Sequence, residues 1–176
     1  MGTEVELVTV KETGFHGELI EDADSFEGNA FIKAHALCEF TGMIAIADDS
    51  GLAVDCLGGA PGVYSARYAG ENATDAENIN KLLFDVSDTP ESERTARFVC
   101  CICVCRPDGR TLYVKGESKG IIIDELRGDG NFGYDPVFYY PPMDKTFAEM
   151  SSEEKNSVSH RGAAIKELLK NKDFFR

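Results

Sequence analysis

Apolar and polar residues recur along this chain with two periods, one of three to four residues that favours helix and one of two that favours strand. Val5 to Val10 alternates and predicts a half-buried strand. Ala30, Phe31, Ala34, Leu37 and Cys38 repeat at helical spacing behind Ser25, a candidate N-cap, and Gly42 can end that helix after Thr41. Ile44 to Ala47 is a short continuous apolar run, predicting a strand buried on both faces that stops at Asp48-Asp49-Ser50-Gly51. Beyond Leu57 the run Gly58-Gly59-Ala60-Pro61-Gly62 breaks either regular structure and must turn. Thr74 and Glu77 form a capping box, and Ile79, Leu82, Leu83 and Val86 then make one apolar stripe on a second helix. Arg97 to Cys105 pairs with Thr111 to Lys115 across Pro107-Asp108-Gly109 as a hairpin. Ile121 to Ile123 and Val137 to Tyr140 predict further strands. Ser151 and Glu154 open a last helical segment, which ends in Ile165, Leu168 and Leu169. With no internal repeat and no low-complexity linker, residues 1–176 read as one α/β domain.

Composition narrows the function classes. The 18 Lys and Arg against 31 Asp and Glu leave a net charge of −13, which repels phosphate backbones and disfavours nucleic acid as a partner. No apolar stretch approaches the ~18 residues of a membrane span, and the N-terminus lacks a basic-then-apolar signal pattern. The expectation is a soluble, cytoplasmic protein with no membrane partner. Four of the six cysteines crowd into RFVCCICVC. Without a Cys-x-x-Cys or zinc-ribbon spacing they read as reduced, buried fillers of a strand.

Three places carry candidate chemistry. Asp48 and Asp49 follow a buried strand, where loops are free to carry function. They are either a solvated turn or a Mg²⁺ or general-base site, and neighbouring strand residues point to opposite faces, so only one need bind the metal. Glu21 and Glu27 are candidate second ligands. Gly128-x-Gly130-x-x-Gly133 matches the dinucleotide-binding string, but Pro136 and an aromatic run follow where that motif needs a helix. It reads instead as a glycine loop, in which Phe132 either stacks on a nucleobase or enters the core with Tyr134, and Asp135 offers a carboxylate. Lys33, Arg67, Lys155, His160 and Arg161 are either solvated charges or a phosphate grip, Arg as a fork and His as a neutral donor.

Together the segments FEGNAFIKAHAL, IAIADDSGLAVDCLGGAPGVYSARYAG, NFGYDPVFYYP and TFAEMSSEEKNSVSHRGAAI resemble, in order, the ITPase-like non-canonical purine nucleoside triphosphate pyrophosphatases. The resemblance runs from Glu21 to Leu169. It implies an elongated α/β fold with a long mixed β-sheet, flanking helices and a central cleft, commonly a homodimer. It also implies hydrolysis of dITP, ITP or XTP to the monophosphate and pyrophosphate with Mg²⁺. By resemblance Asp49 matches the metal-binding and general-base carboxylate and Glu21 the second metal ligand. Ser50, Phe132, Gly133, Tyr134, Asp135, Lys155, His160 and Arg161 match substrate-contacting positions, and Lys33 matches a basic position near the phosphates. The family opens with a strand, a Ser/Thr-x-Asn-x-x-Lys phosphate loop and a helix. Residues 8–14 read VTVKETG and lack that spacing. The chain is therefore expected to be N-terminally truncated relative to the family. The alternative function is a catalytically impaired nucleotide-binding or dimerisation module.

Overall fold

The computed structural model describes residues 6–130 and 132–176. Its centre is a five-stranded sheet in the order β1 (Ala45–Val54), β2 (Thr95–Cys105), β3 (Thr111–Ile122), β4 (Phe138–Tyr140) and β5 (Lys145–Thr146). The sheet expected to be mixed is antiparallel at every described pairing, because each strand pairs only with its neighbours in sequence. β1 is an edge strand.

Alternation across β1 and β2 divides the sheet into two unlike faces. One face carries Ala45, Cys103 and Cys105, on which Ala30, Ala34 and Cys38 of α1 (Phe26–Thr41) pack. The other carries Cys100, Ile102 and Val104 under Ala164 of α4 (His160–Lys170). On that second face Leu52, Val54, Ala96 and Phe98 continue into the main core. There they meet Ile79 and Leu82 of α2 (Asp75–Asp85) and its C-cap residue Val86, together with Phe138 and Phe147. Each fully buried Leu, Ile, Val or Phe contributes about 1.5–3 kcal/mol. The capping signals hold. The Ser25 hydroxyl accepts from Gly28 N, Gly42 closes α1 in the left-handed region, and Thr74 and Glu77 cap α2 reciprocally. All six cysteines are free thiols; only Cys56 is exposed.

Further sequence expectations change. The Val5–Val10 strand does not form over its described part, and Val5 lies outside the described residues. Val10–Thr13 is a 3-10 turn, because Thr9 and Glu12 satisfy each other's polar groups locally and Leu7, 81% exposed, has no pleated neighbour. The strand expected to stop at Asp48 runs on to Val54, since β2 is long enough to ladder with it throughout, Asp48 opposite Ile102 and Asp49 opposite Cys101. Nor is it buried on both faces, as Ile46 is exposed. Thr111–Lys115 and Ile121–Ile123 belong to one element, β3 as far as Ile122. Its inward positions there are Gly116, Ser118 and Gly120, which leave no apolar alternation to read. The last helical segment is two helices, α3 (Ser152–Val158) and α4, broken at Ser159. Ser159 takes extended backbone angles, ends α3, and accepts from Gly162 N through its hydroxyl to begin α4.

Candidate active site

The α1 face holds a compact charge network. α1 brings Asn29 and Lys33 over β1, one helical turn apart, beside a strand and helix lined by alanine and cysteine. The Lys33 ammonium lies 2.8 Å from Glu21 Oε2 and 3.1 Å from Asp49 Oδ1, so one cation joins both carboxylates. Asn29, only 2% exposed, donates from Nδ2 to Asp49 Oδ2 at 3.3 Å while its Oδ1 accepts from Ala23 N at 3.1 Å. Arg67 Nη2 donates to the Glu21 carbonyl at 3.4 Å. Burial pushes the Asp49 carboxyl above its ordinary range despite Lys33, with the Glu21 charge adding to the effect. Burial alone would lower the Lys33 pKa, but hydrogen bonding and attraction to Glu21 and Asp49 raise it. Asn29 is the residue that sequence reasoning left without a role. Its signal was a polar side chain on the buried stripe of α1.

Asp48 points the other way, as adjacent strand residues must. Arg161 Nη2 and Nε donate to Asp48 Oδ2 at 2.8 and 3.2 Å, and the Ser50 hydroxyl donates to the same oxygen at 3.2 Å. Burial alone would raise the Asp48 carboxyl; Arg161 more than offsets it and holds the group below its ordinary range. Next to Arg161, His160 stacks on Phe98 with ring centroids 4.9 Å apart and planes at 16°. Burial lowers its pKa to about 4, with Arg161 and Lys155 helping, so the ring is neutral at neutral pH. Gly116 of β3 lies directly beneath this end of α4. A Cβ there would collide with the His160 carbonyl oxygen and the Ala164 nitrogen.

The glycine loop completes this face. Phe132 stands 70% exposed, whereas Tyr134 is buried and donates through its hydroxyl to the Ser65 carbonyl at 2.7 Å. The two aromatic residues thus part company, one outward and one into the core. Asp75, at the start of α2, accepts from Gly133 N at 2.8 Å and ties the loop down. The Asp135 carboxylate is buried and ion-paired with Lys155, whose ammonium lies 5.5 Å from the Phe132 ring centroid and 5.7 Å from that of Phe147. Burial raises the Asp135 pKa in spite of that partner.

The five basic residues expected to form one grip fall into two groups, Lys33 and Arg67 beside Glu21, and Lys155, His160 and Arg161 across the sheet. Glu27 leaves the carboxylate cluster and pairs with Lys115. Among the described residues no set of three or more His, Cys, Asp and Glu gathers for a metal. Glu21 and Asp49, both reaching one point, are nevertheless the hard oxygen donors that suit Mg²⁺, which takes one or two protein carboxylates and fills its other positions with water and phosphate. A separate cavity of about 920 Å³, lined by Leu37, Ile44, Ile46 and Leu168, lies at the start of β1. It is apolar and holds none of these groups.

Residues 1–171 match the Ham1 family. The chain belongs to the Ham1 family. It is 50% identical over 164 residues to the dITP/XTP pyrophosphatase of Desulforamulus reducens, covering 93% of this chain and 82% of that relative. To the dITP/XTP pyrophosphatase of Bacillus subtilis it is 47% identical over 165 residues, covering 94% and 83%. The Ham1 protein structure from Staphylococcus aureus superposes with a TM-score of 0.86 at 44% identity, covering 92% of this chain and 83% of that one. A HAM1 protein from Coxiella burnetii gives 0.82 at 44% identity, covering 86% and 78%. The α/β fold is thus that of Ham1 proteins. None of the described helices is long and apolar enough to cross a membrane.

Proposed function

We propose that the chain hydrolyses non-canonical purine nucleoside triphosphates, of the dITP, ITP and XTP class, to the monophosphate and pyrophosphate, and so cleans the nucleotide pool. One observation carries the reading. Asp48 and Asp49 are consecutive on an edge strand, so the network Asp49–Lys33–Glu21 and the network Asp48–Arg161 meet at the same point of the sheet from opposite faces. A ligand lying over that edge reaches both. Its base end would rest on the exposed Phe132 ring near Lys155 and His160, and its phosphates would pass Arg161 and Ser50 toward Lys33.

Glu21 and Asp49 would hold Mg²⁺, which when bound offsets triphosphate charge. Asp49 is the candidate general base. Burial brings its pKa toward the range where a carboxylate takes a proton from water, and Asn29 and Lys33 fix the orientation of its two oxygens. Lys33, while still paired with Asp49, and Arg161, once the ligand displaces Asp48, supply positive charge to the phosphates. Discrimination rests on the purine 6-position. A keto oxygen accepts a hydrogen bond from a donor such as neutral His160, Arg161 or a backbone amide, whereas an amino group leaves that donor unpaired. A homodimer in the cytoplasm, suggested by the family resemblance and the free thiols, completes the proposal.

The test is pyrophosphate release from dITP, XTP and dATP, with and without Mg²⁺, by the chain and by Asp49→Asn. Metal-dependent release from dITP and XTP, weak on dATP and lost in the variant, is the expected result. Inosine monophosphate binding without turnover would replace this reading with a nucleotide-binding module.

A further inference from the structure

Among the described residues only two buried side-chain polar atoms have no hydrogen-bond partner, Ser118 Oγ and His160 Nδ1. Both belong to the surroundings of one ring. Ser118 sits directly opposite Phe98 in the β2–β3 ladder, so the two side chains share a face, and His160 stacks on that same Phe98. Two residues from Ser118 along the same face, Gly116 touches the backbone of His160 and Ala164. A buried polar atom without a partner costs about 1–3 kcal/mol. The two atoms are not bonded to each other, and one internal water between them would satisfy both.

We propose that Ser118 is a positioning residue for His160, its hydroxyl donating to an internal water that in turn donates to Nδ1, thereby placing the imidazole's own proton on Nε2. A neutral imidazole has one donor nitrogen and one acceptor. Of the donors on this face, Arg161 is engaged by Asp48 and Lys155 by Asp135, whereas the Ser118 hydroxyl beside Phe98 is unengaged. Nε2, which is not among the buried orphaned atoms, then becomes a fixed donor. The chemistry it would recognise is a carbonyl-type acceptor on a planar ligand. That last clause rests on the substrate reading above; the tautomer assignment does not.

The experiment is ¹⁵N NMR of the histidine side chains of the ligand-free chain at pH 7, with His160→Gln to assign the signal, followed by the same measurement on Ser118→Ala and Ser118→Thr. The expected result is a protonated Nε2 and an acceptor-type Nδ1 whose shift is that of a hydrogen-bonded nitrogen. Ser118→Ala moves Nδ1 to the free-nitrogen position and Ser118→Thr restores it. A proton on Nδ1 in the unaltered chain, or an Nδ1 shift unmoved by Ser118→Ala, overturns the assignment. The unaltered chain decides alone if Ser118→Ala does not fold. Steady-state kinetics with ITP form a second arm, with KM in Ser118→Ala raised several-fold and kcat changed less. A chain without ITP turnover would defeat the substrate reading and leave the tautomer result standing.

Discussion

The two faces of the sheet control charge by opposite means. On the α1 face the contacts are small, Ala30 and Ala34 against Ala45, so the helix comes close and a short Asn29 and a long Lys33 both reach Asp49. Charge there is balanced by pairing, one ammonium between two carboxylates. The α4 face is a pile of rings, Phe98, Phe138, Phe147 and His160, where burial strips water from an imidazole and keeps it neutral. The first face shares one cation between two acids, whereas the second, beside its Asp48–Arg161 and Asp135–Lys155 pairs, keeps one imidazole uncharged. A ligand with a charged tail and a flat uncharged head finds a suitable surface on each.

The contrast is broken most severely at Asp49. Asp49→Asn keeps the side chain's size but removes the base and turns one of its two acceptor oxygens into a donor, so kcat for dITP should fall about 10²–10⁴-fold. In the unaltered chain the rate should rise with pH through a carboxylate pKa above the ordinary aspartate range, because the base works deprotonated and burial raises that pKa. Acidification probes the other face. His160 has a folded pKa of about 4 against 6.5 unfolded, so the unfolded chain binds the extra proton between those values. Stability from this group is whole above pH 6.5 and is lost as pH falls toward 4, by roughly 3–4 kcal/mol at most. Urea titrations across that range should show the slope, and His160→Gln should flatten it. Gly116→Ala tests the seat of α4, where the added methyl meets backbone that cannot swing aside. A loss of about 1–3 kcal/mol in chemical denaturation is expected. Phe132→Ala is the mildest, since the ring is largely exposed. KM for ITP should rise about tenfold, the effect of losing about 1.4 kcal/mol of base stacking, without a shift in melting temperature.

Capping chemistry and helical stripes were the most legible parts of the chain. Ser25, Gly42, Thr74 and Glu77 act through neighbours three or four residues away, so their partners are in view in the sequence. Strand lengths were less so. The inward side of β3 is Gly116, Ser118 and Gly120, chosen for the closeness of α4 and Phe138 rather than for apolarity, and nothing local announces that. The Asp48-Asp49 pair was found for its charge but put at a strand end, because carboxylates seldom continue a buried run. Only the register with Cys101 and Ile102 shows that the strand goes through them. The opposite orientation of the two acids followed from strand geometry alone, whereas the sharing of Lys33 between Glu21 and Asp49 depends on a fold that brings separate segments together.

Ser159 links the chain's end to its loop in a way that constrains inheritance. Since it closes one helix and opens the next with no residue between, Lys155, which holds Asp135, and His160, which lies on Phe98, are joined by a coupling of fixed length. Adding or removing one residue in that span would turn α4 by about a quarter-turn or more relative to α3, carrying His160 off its ring or Lys155 off its carboxylate. Substitutions here are graded in effect, but a change of length is all or nothing, and lineages carrying this fold should tolerate the former while discarding the latter.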